Sequence, residues 1–454
     1  MLKIISKIFS TYILNMEPTQ PTLPTPDVTI IGAGIAGLWT ARRILQKHPY
    51  LRVLILEKYD YTGGRIVTYH NTIPNIGKIQ WEIGAGRIST RHHHILNLMK
   101  EYNLTFNQLS PDSLIQSSDS PTLTPNPFSK ILEVYLLPLC KLHPTVLAEH
   151  TLYELLSEIH TRDAVTYFLS TFPYSAEIHH LRADLALKTF TVEMSSDENF
   201  GTCKEGLSAI TDNMVRELKA LGAEIIFNTE VVNISQHSLN RVAIHLKEDH
   251  PYYPMIVTKN VVCALHSNAL KKFPSFSKIN THILNNLTMQ PLIRMYAVFP
   301  KNKETSKVWF ENSPRIISED NPLRYIIPID YEKGIIMISY TDSEDCKFWL
   351  KIKEEKKTTD HIQKEVMKQI RYMFPNVEIP DPIFFRYHPW TDGCTYWKPG
   401  KYSPEELSIR ILNPLPNVFV CGESYSTNQC WMEGAIEHAE MLWNNHEFQK
   451  QLSK

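Results

Sequence analysis

Apolar and polar positions change period along this chain, and the clearest block lies near its amino end. Val28, Thr29, Ile30 and Ile31 form a β-branched run that predicts a buried strand, a helical pattern extends from Leu38 to Lys47, and LRVLILE predicts a second buried strand ending at Glu57. These three pieces make a βαβ unit. Farther on, EIIFNTEVVNI, residues 261 to 265, QPLIRMYAVFP, VWF, RYIIPID, GIIMISYTD and residues 418 to 421 read as strands, and a helix is expected from Trp431 towards Trp443. DHIQKEVMKQIRYMF carries the 3.6-residue period of an amphipathic helix, whereas the charge run KIKEEKK reads as a solvated face.

The first 25 residues lack such a pattern. An amphipathic stretch from Met1 to Met16 leads into the Pro/Thr linker EPTQPTLPTP, so the segment is expected to be an extension outside the fold. Lys7 interrupts its apolar run, which fits neither a signal-peptide core nor a spanning helix and leaves weak membrane attachment as the minor alternative. At 454 residues the chain exceeds the size at which one core stops growing, so two or more domains are expected. A formal net charge of -1 gives no electrostatic reason to expect nucleic acid or an anionic membrane as partner. The seven cysteines include no CxxC pair and suit reduced thiols in a cytosol-like compartment. Oligomeric state is not legible.

The 16 glycines are few for this length, and their clustering carries the chemistry. GAGIAG supplies Gly32, Gly34 and Gly37 between the first strand and its helix, with Ile35 and Ala36 in the same turn. Such a loop permits a tight turn, approach of a pyrophosphate to backbone N–H groups, and close helix-to-strand packing. Glu57, 20 residues past Gly37, stands where an acid accepts hydrogen bonds from an adenosine ribose, with Lys58 beside it. An acid there disfavours a 2′-phosphate and hence NADP.

Downstream of the acid, Gly63-Gly64-Arg65 resembles the GGR turn of the flavin amine oxidase superfamily, and the resemblance extends from about Asp27 to Leu442. Gly84, Ala85, Gly86 and Arg87, within WEIGAGRI, look like the family segment that lines the flavin ring. The EGLS segment and the strand after it look like the return to the cofactor domain, which would place Val231 or Val232 near adenine. Gly422 and Glu423, then Trp431, Met432 and Ala435, look like the closing strand, turn and helix that hold the ribityl chain and aim a helix N-terminus at the flavin.

The resemblance implies FAD as cofactor and an α/β fold: a Rossmann-like FAD-binding domain, discontinuous in sequence, plus an α+β substrate domain with antiparallel sheet and helices. The expected FAD segments are 26 to 108, 198 to 268 and 406 to 446; the expected substrate segments are 109 to 197 and 269 to 405, with 447 to 454 as a tail. The implied reaction is hydride transfer from the carbon bearing an amine to flavin N5, imine hydrolysis, and reoxidation by O2 or another acceptor. Trp431, Tyr396 and Trp397 are expected to wall the substrate, Arg87 to grip an amino acid carboxylate, and Arg294 to occupy the strand position of the family's usual lysine. Because arginine keeps its proton, Arg294 leaves open a desaturase acting on C–C bonds, or a flavoprotein without catalysis. Cys394 falls near the family's covalent flavin cysteine but is expected to remain a free thiol. His92, His93 and His94 lack metal-ligand spacing, and no metal is expected.

Overall fold

The computed structural model describes residues 25–110, 112–116, 123–125, 128–193, 200–248, 254–277, 281–356 and 358–454. Of the amino-terminal extension, residues 1–24 lie outside them. A five-stranded parallel sheet is assembled from distant parts of the chain in the order Glu224–Ile226, Val53–Leu56, Val28–Ile31, Asn260–Cys263, Val418–Val420. Its strands are continuous apolar runs because both faces are covered. Val28, Ile30, Val53, Ile55, Val262 and Phe419 pack under the helices Ile35–Lys47, Ser208–Ala220 and Met432–Trp443. Ile31, Leu54, Leu56, Val261, Val418 and Val420 face the other way, in a cluster with Ile234, Val242 and Ile244 of a three-stranded antiparallel sheet.

The chain leaves the central strand Val28–Ile31 towards Val53–Leu56 on one side and returns at Asn260–Cys263 on the other. Such a switch in strand order opens a crevice at the carboxyl ends of the strands, where ligands bind in open α/β sheets. A seven-stranded mixed sheet forms the second large element; its long strands Leu287–Val298 and Phe384–Trp397 pair antiparallel from Leu287↔Trp397 to Val298↔Phe384. The helix Thr359–Met373 covers it, burying Ile362, Val366 and Ile370 against Ile293, Met295 and Ile338. Among the described residues no helix is long and apolar enough to cross a membrane.

Several expectations are corrected. The first helix starts at Ile35 rather than Leu38, so the end of GAGIAG is already helical. EIIFNTEVVNI is two strands, Glu224–Ile226 in the parallel sheet and Val231–Ser238 in the antiparallel one, separated by a turn with Asn228 at φ 53. VWF is not a strand: Val308 and Phe310 are buried behind the large sheet by tertiary packing, without ladder hydrogen bonds. Residues 351–356 of the charge run extend the helix Cys346–Lys356, with Lys351, Glu354 and Glu355 exposed as a solvated face requires. The final residues are no tail, because the helix His446–Leu452 is capped by Asn445 and buries Phe448 and Leu452, with Phe448 4.8 Å from Phe419.

Candidate active site

At the carboxyl end of the parallel sheet lies a cavity of about 980 Å³, and nearly every residue singled out by the glycine motifs lines it. Gly32, Gly34, Ile35, Ala36, Glu57, Lys58, Gly63, Gly64 and Arg65 come from the opening βαβ unit, and Gly84, Ala85, Gly86 and Arg87 from the following loop. Val231 and Val232, Gly422 and Glu423, and Trp431, Met432 and Ala435 arrive from later segments, as do Arg294, Tyr396 and Cys394. Two residues do not. Gly37 faces away from the cavity: a Cβ there would meet the Gly32 carbonyl oxygen at 2.1 Å, so its glycine serves the helix-to-strand contact. Trp397 points to the other side of its strand from Tyr396, as neighbours on a strand must, and its Nε1 donates to the Ser426 carbonyl within the core.

The walls fit a negatively charged, hydroxyl-bearing nucleotide cofactor. The helices Ile35–Lys47 and Met432–Trp443 both begin at this cavity, and their N-caps, Gly34 and Trp431, make no side-chain capping hydrogen bond. Their first-turn N–H groups are the kind a phosphate or a developing anion satisfies. A Cβ built on Gly34 meets nothing within 4 Å, so this turn presents bare backbone to the cavity. Glu57, 6% exposed, is held by Ala33 N to Oε2 at 2.8 Å and Tyr59 N to Oε1 at 3.0 Å. Burial pushes its carboxyl above the ordinary range, against the pull of those N–H donors.

Arg65 reaches across the chain instead of standing alone in the GGR turn. Its guanidinium donates to the Glu423 carboxylate and, at 2.8 Å, to the Gly393 carbonyl. Glu423 Oε1 accepts from Cys430 N at 2.8 Å. The pair therefore joins the opening and closing halves of the site, and a hydroxyl ligand would share these carboxylate oxygens with protein donors. Removing either partner strands the other inside the fold, at about 3 kcal/mol. Glu433 makes a second tie: its carboxylate accepts from His94 N at 2.8 Å and Ile95 N at 3.0 Å, fixing the closing helix against the start of the helix His93–Glu101.

Arg87 is neither an exposed helix-start charge nor an isolated cation. Its guanidinium carbon lies 4.7 Å from the ring of Phe200, 5.2 Å from Tyr174 and 5.4 Å from Trp431, and its Nη1 donates to Tyr174 Oη at 2.8 Å. Arg294, on the strand Leu287–Val298, donates from Nη1 to the Glu82 carbonyl at 3.1 Å and lies 5.6 Å from the Tyr340 ring. Beyond these two arginines opens a second cavity of about 1290 Å³, which shares Gly86, Arg87, Tyr174, Arg294 and Tyr340 with the first. Arg87 and Arg294 thus stand where the two spaces meet. Tyr174 and Tyr340 belong to this wall too, and Glu177 lines the first cavity beside it, yet all three sit in segments without a motif that would single them out.

Comparison with known proteins agrees with this geometry. The model of the flavin containing amine oxidoreductase family matches residues 35–118 and 147–441. YobN of Bacillus subtilis (strain 168), a provisionally named L-amino-acid oxidase, is 21% identical over 460 residues, covering 90% of this chain and 92% of its own. Polyamine oxidase 6 of Oryza sativa subsp. japonica is 21% identical, covering 96% and 95%. A putrescine oxidase redesigned in its cofactor binding superposes with a TM-score of 0.67 at 15% identity, covering 94% of this chain and 99% of its own, which supports the same fold. The chain therefore belongs to the flavin containing amine oxidoreductases, and it is an FAD-dependent oxidoreductase.

Proposed function

We propose that the protein oxidises amino acids at the carbon bearing the amine. Residues 26 to 108, 198 to 268 and 406 to 446 would hold FAD, and 109 to 197 and 269 to 405 the substrate. FAD, when bound, supplies the hydride acceptor and passes the electrons on to O2 with release of hydrogen peroxide. Gly34 and its neighbours would receive the pyrophosphate, Glu57 the adenosine ribose, Val231 the adenine edge, and the N–H groups from Met432 the negative charge that develops on reduction.

The observation that carries the substrate class is Arg87. A guanidinium caged by Tyr174, Phe200 and Trp431, on the wall between the two cavities, is shaped for a planar carboxylate, and the rings keep water from competing. Tyr396 and Trp431 would flank the substrate carbon, and Arg294 would add positive potential at the mouth. The relatives named for L-amino-acid and polyamine oxidation bracket this choice. The test is Arg87→Ala in the full chain. KM for amino acids is expected to rise far more than for simple amines, by about 10²-fold for the loss of a charged hydrogen-bonded contact worth 1.5 to 3 kcal/mol. Equal effects on both would overturn the carboxylate role. Arg294 favours a second reading, oxidation of C–C bonds, because an arginine cannot serve as a proton carrier at ordinary pH; reduction of the flavin by an unsaturable substrate and by no amine would select it.

A further inference from the structure

We propose that Glu177 is a catalytic base at the amine end of the substrate, its carboxylate taking the ammonium proton before the hydride leaves. The inference rests on the amine-oxidising reading above, which needs a neutral amine but assigns no group to receive its proton. An alkylammonium near neutral pH holds that proton, since such amines titrate near ~10. While it does so, nitrogen has no lone pair to support departure of a hydride from the adjacent carbon. In a slot walled by rings the proton needs a protein acceptor.

Glu177, on the short helix Ser175–His179, lines the cofactor cavity together with Tyr396, Trp431 and Arg87. Tyr396 Oη donates to its Oε1 at 3.2 Å, which fixes the carboxylate; its Oε2 is buried without a hydrogen-bond partner among the described residues. The other groups facing it cannot do the same work. Arg87 and Arg294 carry no lone pair to offer. Tyr340 and Tyr396 are phenols that burial holds well above their ordinary range, and burial likewise keeps the Cys430 thiol protonated. Asp342, at the end of the strand Ile335–Asp342, has Oδ1 taken by Ala176 N at 2.9 Å and Oδ2 by Tyr340 Oη at 3.4 Å. Among the described groups around it, Glu177 combines a buried acceptor oxygen without a partner with a place on the cavity wall.

The transfer balances without any redox partner. The ammonium and the carboxylate become a neutral amine and a carboxylic acid, one N–H bond breaking as one O–H bond forms, and the proton returns to water when product leaves. Burial favours the neutral pair over the ion pair, because desolvation penalises both charged forms. It also raises the Glu177 carboxyl above its usual range, with the Arg87 charge pulling the other way.

The experiment uses the full-length holoenzyme. Anaerobic flavin reduction by an amino acid is followed across pH for wild type, Glu177→Gln and Glu177→Asp. Equilibrium binding of 2-methylalanine, which carries both groups but no Cα–H to lose, is followed by the shift in flavin absorbance. Wild-type reduction is expected to fall on the acid side through a pKa above the ordinary carboxylate value, with the same limb in 2-methylalanine binding. Glu177→Gln should lose the limb in both measurements and reduce about 10²-fold more slowly near neutral pH, recovering as pH approaches the amine's own pKa. Glu177→Asp should keep a limb. If Glu177→Gln fails to retain flavin, Tyr396→Phe carries the test: loss of its donated hydrogen bond should move the limb to higher pH. A uniform loss at every pH, or a limb that survives in Glu177→Gln, overturns the base assignment while leaving amine oxidation intact. Failure of wild type to be reduced by any amine or amino acid overturns both.

Discussion

Gly34→Ala separates the cofactor's needs from the fold's. Gly34 sits at φ -71 and ψ 169, extended backbone that alanine adopts without strain, and its added Cβ would meet no atom within 4 Å. Replacing glycine at such a position stabilises the apoprotein by about 0.4 to 1 kcal/mol, through the smaller entropy of the unfolded chain. That methyl nevertheless projects from the turn where bare backbone lines the cavity. A ligand phosphate resting there would have to shift, at the cost of about 1 to 3 kcal/mol typical of overpacking. The expected result is FAD affinity weakened by about 5- to 150-fold, with an apoprotein Tm equal to or above wild type. Flavin titration by fluorescence quenching and thermal unfolding of the stripped protein measure the two halves separately. Gly37→Ala is the contrasting control, because its Cβ collides with Gly32 and should lower apoprotein stability itself. Unchanged FAD affinity in Gly34→Ala would refute the placement of the pyrophosphate on this turn.

Two further outcomes follow from buried groups. Glu82 accepts from Leu207 N at 2.9 Å and from the Thr68 hydroxyl, and burial pushes its carboxyl up to about 7. A carboxyl raised in the folded state keeps its full contribution below its unfolded value and loses it as pH rises through about 7; apoprotein Tm should therefore fall across that window, and Glu82→Gln should flatten the fall. An equal slope in both proteins would show that Glu82 does not titrate there. Cys394 lines the cavity as a free thiol, so acid precipitation should leave the flavin in the supernatant; a yellow pellet would demonstrate a covalent link.

What the sequence discloses is the part of the site built from backbone. Glycine spacing and β-branched runs mark the turn at Gly32 to Gly37, the acid Glu57, and the closing turn before Met432, because these positions must place N–H groups and close contacts wherever the remaining chain goes. Side-chain walls leave no such mark. Tyr174 precedes the short helix Ser175–His179 and Glu177 lies within it, and only the fold brings them opposite Arg87 and Tyr396. The ion pair between Arg65 and Glu423 spans almost the whole chain, so local pattern could not pair them. EIIFNTEVVNI read as one strand because its apolar residues persist through the Asn228 turn, and VWF read as a strand because burial without a ladder has the same composition. The carboxyl-terminal helix was missed for the opposite reason: its seven residues, with Phe448 and Leu452 four apart, carry too short a period to stand out.

The most direct test of amino acid oxidation is anaerobic mixing of the yellow holoenzyme with a panel of L-amino acids, simple amines, polyamines, and polyprenyl or porphyrinogen compounds, followed by admission of air. At least one L-amino acid is expected to bleach the flavin, simple amines to be poorer reductants, and air to restore the colour with one peroxide released per turnover. Bleaching by a polyprenyl or porphyrinogen compound, with every amine and amino acid inert, would contradict amino acid oxidation.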